Sequence, residues 1–122
     1  MNEEEFKQRT KQIALRVIRL TEALPKTPTA QVISRQLLRA STSVGANYRA
    51  ACRAKSVSDL IAKLSIVEEE TDECLYWIEL LIEANVLPEA KVSRLMAEIE
   101  EILAMTVSSI KTLRNQKNQS KI

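Results

Sequence analysis

Residues 36–55 read QLLRASTSVGANYRAACRAK, and this stretch decides the fold because small residues, one asparagine and a row of arginines recur in it at helical spacing. At 100° per residue, Ile33, Leu37, Ala40, Val44, Asn47 and Ala51 fall within about 40° of one line, the pattern of a helix with one buried seam. Arg35, Arg39, Arg49 and Arg53, with Thr42 and Ala46 among them, fall on the opposite side. The flank between these faces holds Leu38, Ser41, Gly45, Tyr48 and Cys52. Gly45 is the single glycine of the chain, at a position where it costs about 1 kcal/mol relative to alanine. Close approach of a neighbouring element is therefore expected there, a tolerated helix glycine being the alternative. Asn47 is expected to be a hydrogen-bonded asparagine that fixes register, with a binding role as the alternative.

Upstream, Phe6, Thr10, Ile13, Val17, Leu20 and Leu24 alternate steps of four and three, the seam of a bundle helix over about 3–24. Pro25 stops it, and Thr27 before Pro28 reads as an N-cap that opens the next helix, about 28–54. Ser56 followed by Asp59 resembles a capping box, which predicts a tight reversal at Lys55 and Ser56. One continuous helix over 28–84, about 85 Å long, is the alternative. A third helix, about 57–84, repeats Val57, Leu60, Leu64, Val67, Thr71, Cys74, Ile78 and Leu81. Its far side carries a second apolar set, Ala62, Ile66, Trp77, Leu80 and Ala84, which predicts a subunit interface; the alternative is that Trp77 covers the edge of its own bundle. A fourth helix, about 88–115, opens near Pro88 and repeats Val92, Met96, Ile99, Leu103, Thr106, Ile110 and Leu113, with Leu95 and Ile102 on its flank. Residues 116–122 read as a polar, basic, frayed tail. The expectation is one all-α domain over 1–115, an up-down-up-down antiparallel four-helix bundle.

The net charge of +2 over 122 residues hides a polarity along the chain. Residues 1–55 carry 11 basic and 4 acidic side chains, 56–110 carry 3 and 12, and 111–122 carry 4 and none, giving blocks of +7, −9 and +4. Such asymmetry points to a polyanion partner or to complementary surfaces within an assembly. The carboxylates of the third helix do not form a di-iron site, which needs Glu-x-x-His pairs, because the chain has no histidine. Cys52 and Cys74 lack CxxC spacing and read as small buried hydrophobes. No apolar run approaches the roughly 18 residues of a membrane span, and the acidic start MNEEEFK is unlike a signal peptide, so a cytoplasmic location is expected.

The segment QLLRASTSVGANYRAACRAKSVSDLIAKLSIVEEETDECLYWIELL, residues 36–81, resembles the four-helix bundle proteins encoded in intervening sequences of bacterial 23S ribosomal RNA genes. Its most specific elements are SVGANY at 43–48, the Ser56/Asp59/Lys63 region and Tyr76-Trp77. That family is similar to the accessory protein of diversity-generating retroelements. The resemblance implies a homopentameric ring and, from the retroelement relatives, engagement of nucleic acid and of a reverse transcriptase.

Two functions follow as expectations. In the first, a non-enzymatic oligomer binds RNA or DNA phosphates through Arg35, Arg39, Arg49 and Arg53, supported by Arg16 and Arg19. In the second, a structural ring pairs those arginines with the acidic third helix of a neighbouring subunit, and Ile66, Trp77, Leu80, Gly45 and Tyr48 serve the joint. An enzyme is not expected, since no histidine, glycine-rich phosphate loop or coupled nucleophile and base is present. No metal or cofactor is expected either.

Overall fold

The computed structural model describes residues 1–119. It contains α1 (Glu3–Ala23), α2 (Pro28–Ala51), α3 (Val57–Glu83) and α4 (Ser93–Gln119), with a 3-10 turn at Glu89–Lys91 and no strand among the described residues. Short links make consecutive helices antiparallel. α1 packs on α2, α2 on α3, α3 on α4 and α4 back on α1, the neighbour order of an up-down four-helix bundle. The α2–α3 contact is the most extensive of the four and the α1–α4 contact the least.

The helix ends follow from local chemistry. The Asn2 side chain accepts from the Glu5 N–H at 2.8 Å, and Glu3, Glu4 and Glu5 sit at the positive end of α1. Thr27 Oγ1 accepts from the Ala30 N–H at 3.2 Å, with Pro28 opening α2. Ser56 Oγ accepts from the Asp59 N–H at 3.0 Å, while the Asp59 carboxylate accepts from the Lys55 N–H at 3.0 Å rather than from that of Ser56. These bonds break the 28–84 stretch into two helices. α2 ends at Ala51 instead of Ala54, so Arg53 stands in the connecting turn, beyond the helix that was expected to carry it.

α3 ends in a Schellman motif: the Val86 N–H reaches the Leu81 carbonyl at 2.9 Å and the Asn85 N–H reaches that of Ile82 at 3.0 Å. Asn85 takes the left-handed conformation this requires, at φ 59°. Pro88 then caps the 3-10 turn, and α4 begins at Ser93, later than expected. At its other end α4 continues through Gln119, where a frayed tail was expected; Lys117 donates to Ser58 at the start of α3, which gives this last turn a neighbour. The end of that tail, 120–122, lies outside the described residues.

The core is the shared interior of the four seams. Ile13 and Val17 of α1, Leu37, Ala40 and Val44 of α2, Val67, Cys74, Ile78 and Leu81 of α3, and Ile99 and Ile102 of α4 are each at most 1% exposed. α4 is rotated from the expected seam, with Leu95 and Ile102 buried and Met96 and Leu103 only half-buried. Buried Thr71 and Thr106 satisfy their hydroxyls on the carbonyls four residues back, at 2.6 and 2.8 Å. Asn47 is half-buried and donates to the carbonyl and hydroxyl of Ser43 within its own helix.

At Gly45 an added Cβ would stand 3.3 Å from Thr10 Oγ1. The close approach expected at this glycine is therefore made by α1 of the same chain. Asn85→Val places a β-branched residue in the left-handed region and is expected to cost about 1–2 kcal/mol of stability in urea denaturation, whereas Asn85→Gly costs nothing.

Candidate nucleic-acid interface

The rotation of α2 that buries its seam sends the arginines of the opposite face in different directions. Arg35 and Arg49 are exposed, as is Arg53 in the turn, and none of the three forms an ion pair among the described residues. Arg39 stands about 40° round the helix from Arg35, toward α3. Its Nη1 lies 2.9 Å from Glu70 Oε2, its Nη2 pairs with Glu73, and its Nε donates to Gln36 Oε1 at 3.3 Å. Glu73 also accepts from the Trp77 indole N–H at 3.0 Å. The indole and then Arg39 hold the Glu73 carboxyl below its usual range, against the opposing effect of burial. Arg39, expected in the phosphate-binding row, is thus a bridge between α2 and the acidic helix of its own chain.

α1 divides in the same way. Arg9 Nε is 2.6 Å from Glu98 and its Nη2 3.0 Å from Glu101, so this guanidinium spans α1 and α4. Arg16, expected to support the α2 row, is half-buried and its charge acts on Glu98, which places it on the α4 side. Arg19 is exposed. Lys7 pairs with Glu3 at 3.6 Å and Glu4 at 3.5 Å on its own helix.

Lys11 is a cation that the sequence pattern of α2 does not assign to the row. It is exposed, without an ion pair among the described residues, and follows Thr10, whose contact with Gly45 sets the α1–α2 register. Lys11 therefore stands level with the small Thr42–Ala46 stretch, between Arg35 and Arg49. Only knowledge of which α2 residue faces Thr10 could have placed it there. At the loop end of the same hairpin, Lys26 and Arg35 line one open depression of about 340 Å³ with Gln31 and Ser34.

The expected interface residues separate too. Ile66 is 41% exposed on α3, and Tyr76 is 53% exposed with its ring edge-on to Trp77. Trp77 and Leu80 are half-buried against the core of their own bundle. Gly45 and Tyr48 face α1, with the Tyr48 ring centroid 4.3 Å from that of Phe6. These two pack inside the chain instead of lining an outer joint, because α1 covers that flank of α2.

A concavity of about 750 Å³ opens where the start of α1, the α2–α3 turn and the last turns of α4 meet. Phe6, Tyr48, Leu60, Leu64 and Leu113 form its apolar walls, and Ser108, Ser109 and Thr112 of α4 line another side. Both cysteines are free; Cys52 lines this cleft and Cys74 is in the core. Burial pushes the Cys52 thiol up and the Cys74 thiol up to about 12, the state of an unreactive thiol. No cluster of three candidate metal ligands occurs among the described residues, and no helix among them is long and apolar enough to cross a membrane.

Two outcomes test this electrostatic layout. Arg39→Gln is expected to lower stability by less than about 1 kcal/mol, as an exposed bridge should, and to shift the emission of Trp77. Glu73 and Glu98 both have depressed carboxyl pKa values, so the stability they contribute is present above the unfolded value, about 4.3, and is lost as pH falls through the folded values. Thermal melting should therefore decline in acid, and less steeply in Arg9→Gln, where the Glu98 contribution is already missing.

No curated protein sequence matches the chain. A crystal structure of a protein of unknown function from the S23 ribosomal protein family of Bacteroides thetaiotaomicron VPI-5482 is similar to it, with 34% sequence identity and a TM-score of 0.83 over 91% of this chain and 99% of that one. The model of the 23S rRNA-intervening sequence proteins matches residues 2–108. With nearly its whole length matched, and with the fold shared, the chain belongs to the 23S rRNA-intervening sequence protein family.

Proposed function

We propose that this protein is a non-enzymatic, cytoplasmic nucleic-acid-binding module that works as an oligomer, in the pentameric ring implied by the family resemblance. The observation that carries the reading is a set of cations on the α1–α2 side with no internal counter-charge. Arg39 and Arg9 are neutralised by carboxylates of α3 and α4, while Lys11, Arg35 and Arg49 have no ion-pair partner among the described residues, nor does Arg53 in the turn after α2. Cations held on rigid helices with no internal counter-charge gain free energy when phosphates displace their solvent ions. The contact is sequence-independent, since no base-reading device accompanies it, and repetition around a ring multiplies a weak patch.

The second reading, a structural ring, has its own support. The α1–α2 cations are unpaired among the described residues, α3 exposes Glu69, Asp72 and Glu79, and Ile66 is exposed on the same helix. A basic face on one copy and an acidic face on the next make a head-to-tail joint, the kind that closes rings. A protein partner such as a reverse transcriptase, implied by the retroelement relatives, would compete for the same faces.

Fluorescence anisotropy of labelled nucleic acid against salt, with mass followed by light scattering, tests the first reading against the second. The expected result is binding whose logarithm falls with log salt by about 0.9 per neutralised phosphate while the mass stays constant. Arg35→Gln and Arg49→Gln should each weaken binding, and Arg39→Gln should leave it nearly unchanged. Binding that is absent at low salt with the oligomer intact overturns the proposal. Ile66→Glu is expected to reduce the mass without unfolding the exposed site; an unchanged mass removes Ile66 from the joint.

A further inference from the structure

We infer that the polyanion fitted by the α1–α2 face is a double helix, RNA or DNA, and not a single strand; this rests on the nucleic-acid reading above. The first ground is the position of the aromatic side chains, which single-strand binders use as stacking platforms for successive bases. The chain has one Phe, two Tyr and one Trp. Phe6 is buried and stacked against half-buried Tyr48 beneath the α1–α2 packing, while Tyr76 and Trp77 are on α3 among carboxylates. No ring is offered to a base on the basic face, so a single strand would gain phosphate contacts there and nothing more.

The second ground is the shape of that face. Single-strand sites run along a groove that tracks a flexible backbone. Here the space between the two helices is closed from Phe6 to Thr10, because Gly45 admits Thr10 to 3.3 Å of its Cβ position and Phe6 covers Tyr48, and it opens only into the short depression at the loop end lined by Lys26 and Arg35. What remains is a shallow two-helix surface.

The third ground is spacing. Arg35 and Arg49 are about 21 Å apart along α2, with Lys11 at an intermediate level and Arg53 past the helix end. A rigid, widely spaced row matches phosphates that a duplex also holds in fixed positions. A duplex further offers one charge per about 1.7 Å of axis, so each fixed cation finds a phosphate within reach whatever the register. Thr42 and Ala46, small and exposed, leave the backbone of such a rod room to lie against α2 between the cations.

The test is anisotropy at one low salt concentration with three labelled probes: an RNA duplex and a DNA duplex of mixed sequence, each about two turns or ~20 base pairs long, and an unstructured oligothymidine with the same number of phosphates. Both duplexes are expected to bind at least about tenfold more tightly than the single strand. Lys11→Gln and Arg49→Gln should each lower duplex affinity and reduce the salt slope by about one phosphate's worth. A difference between the RNA and DNA arms identifies which helical form fits better. Equal or tighter binding of the single strand overturns the duplex inference and leaves the nucleic-acid reading standing. Absence of binding to all three probes, with helical circular dichroism and mass unchanged, overturns both.

Discussion

The packing of α2 on α3 is the contact on which the other features depend. Leu37, Ala40 and Val44 from one helix, and Val67, Cys74, Ile78 and Leu81 from the other, are almost wholly removed from water. Each large aliphatic side chain so buried contributes about 1.5–3 kcal/mol before the entropy of ordering is subtracted. A gain of that size fixes the rotation of α2 about its axis. The rest of its surface then has no freedom: Arg39 falls beside the carboxylates of α3, Gly45 turns toward α1, and Arg35 and Arg49 point outward.

Electrostatics follows packing in this bundle. Ion pairs join α2 to α3 through Arg39 and α1 to α4 through Arg9. The second lies at the seam where the helices touch least, so it supplements a weak apolar contact, and with Arg9 less exposed than Arg39 it is the less open to screening by salt. That seam is incomplete because α4 has 27 residues and α1 has 21. Beyond the start of α1, the hydroxyls of Ser108, Ser109 and Thr112 line the cleft in place of a helix contact. The polarity of the sequence, basic in its first half and acidic in its second, becomes a polarity across the molecule because α1 pairs with α2 and α3 with α4.

The number of helices, the breaks near Pro25 and at Lys55–Ser56, and most core positions of α1 to α3 were legible in the sequence, although Val57, expected to open the α3 seam, is exposed. Apolar periodicity, proline and N-cap residues are local signals, and burial of a seam is the largest free-energy term acting on each helix alone. Legibility failed at the ends of α2 and α4, where one turn more or less depends on a neighbour such as Ser58 for Lys117.

What the tertiary structure alone decided is which charges are in use. Arg35 and Arg39 look alike in the sequence, four residues apart on one row, yet one is free and the other bridges Glu70 and Glu73. Gly45 and Tyr48 look like candidates for an outer joint until α1 covers them, and Lys11 joins the basic face only through the Thr10–Gly45 register. The physical reason is range. Helical periodicity assigns a residue to a face using its nearest chain neighbours, whereas ion pairing depends on side chains 31 and 34 positions away whose approach is set by how two helices rotate and slide on packing.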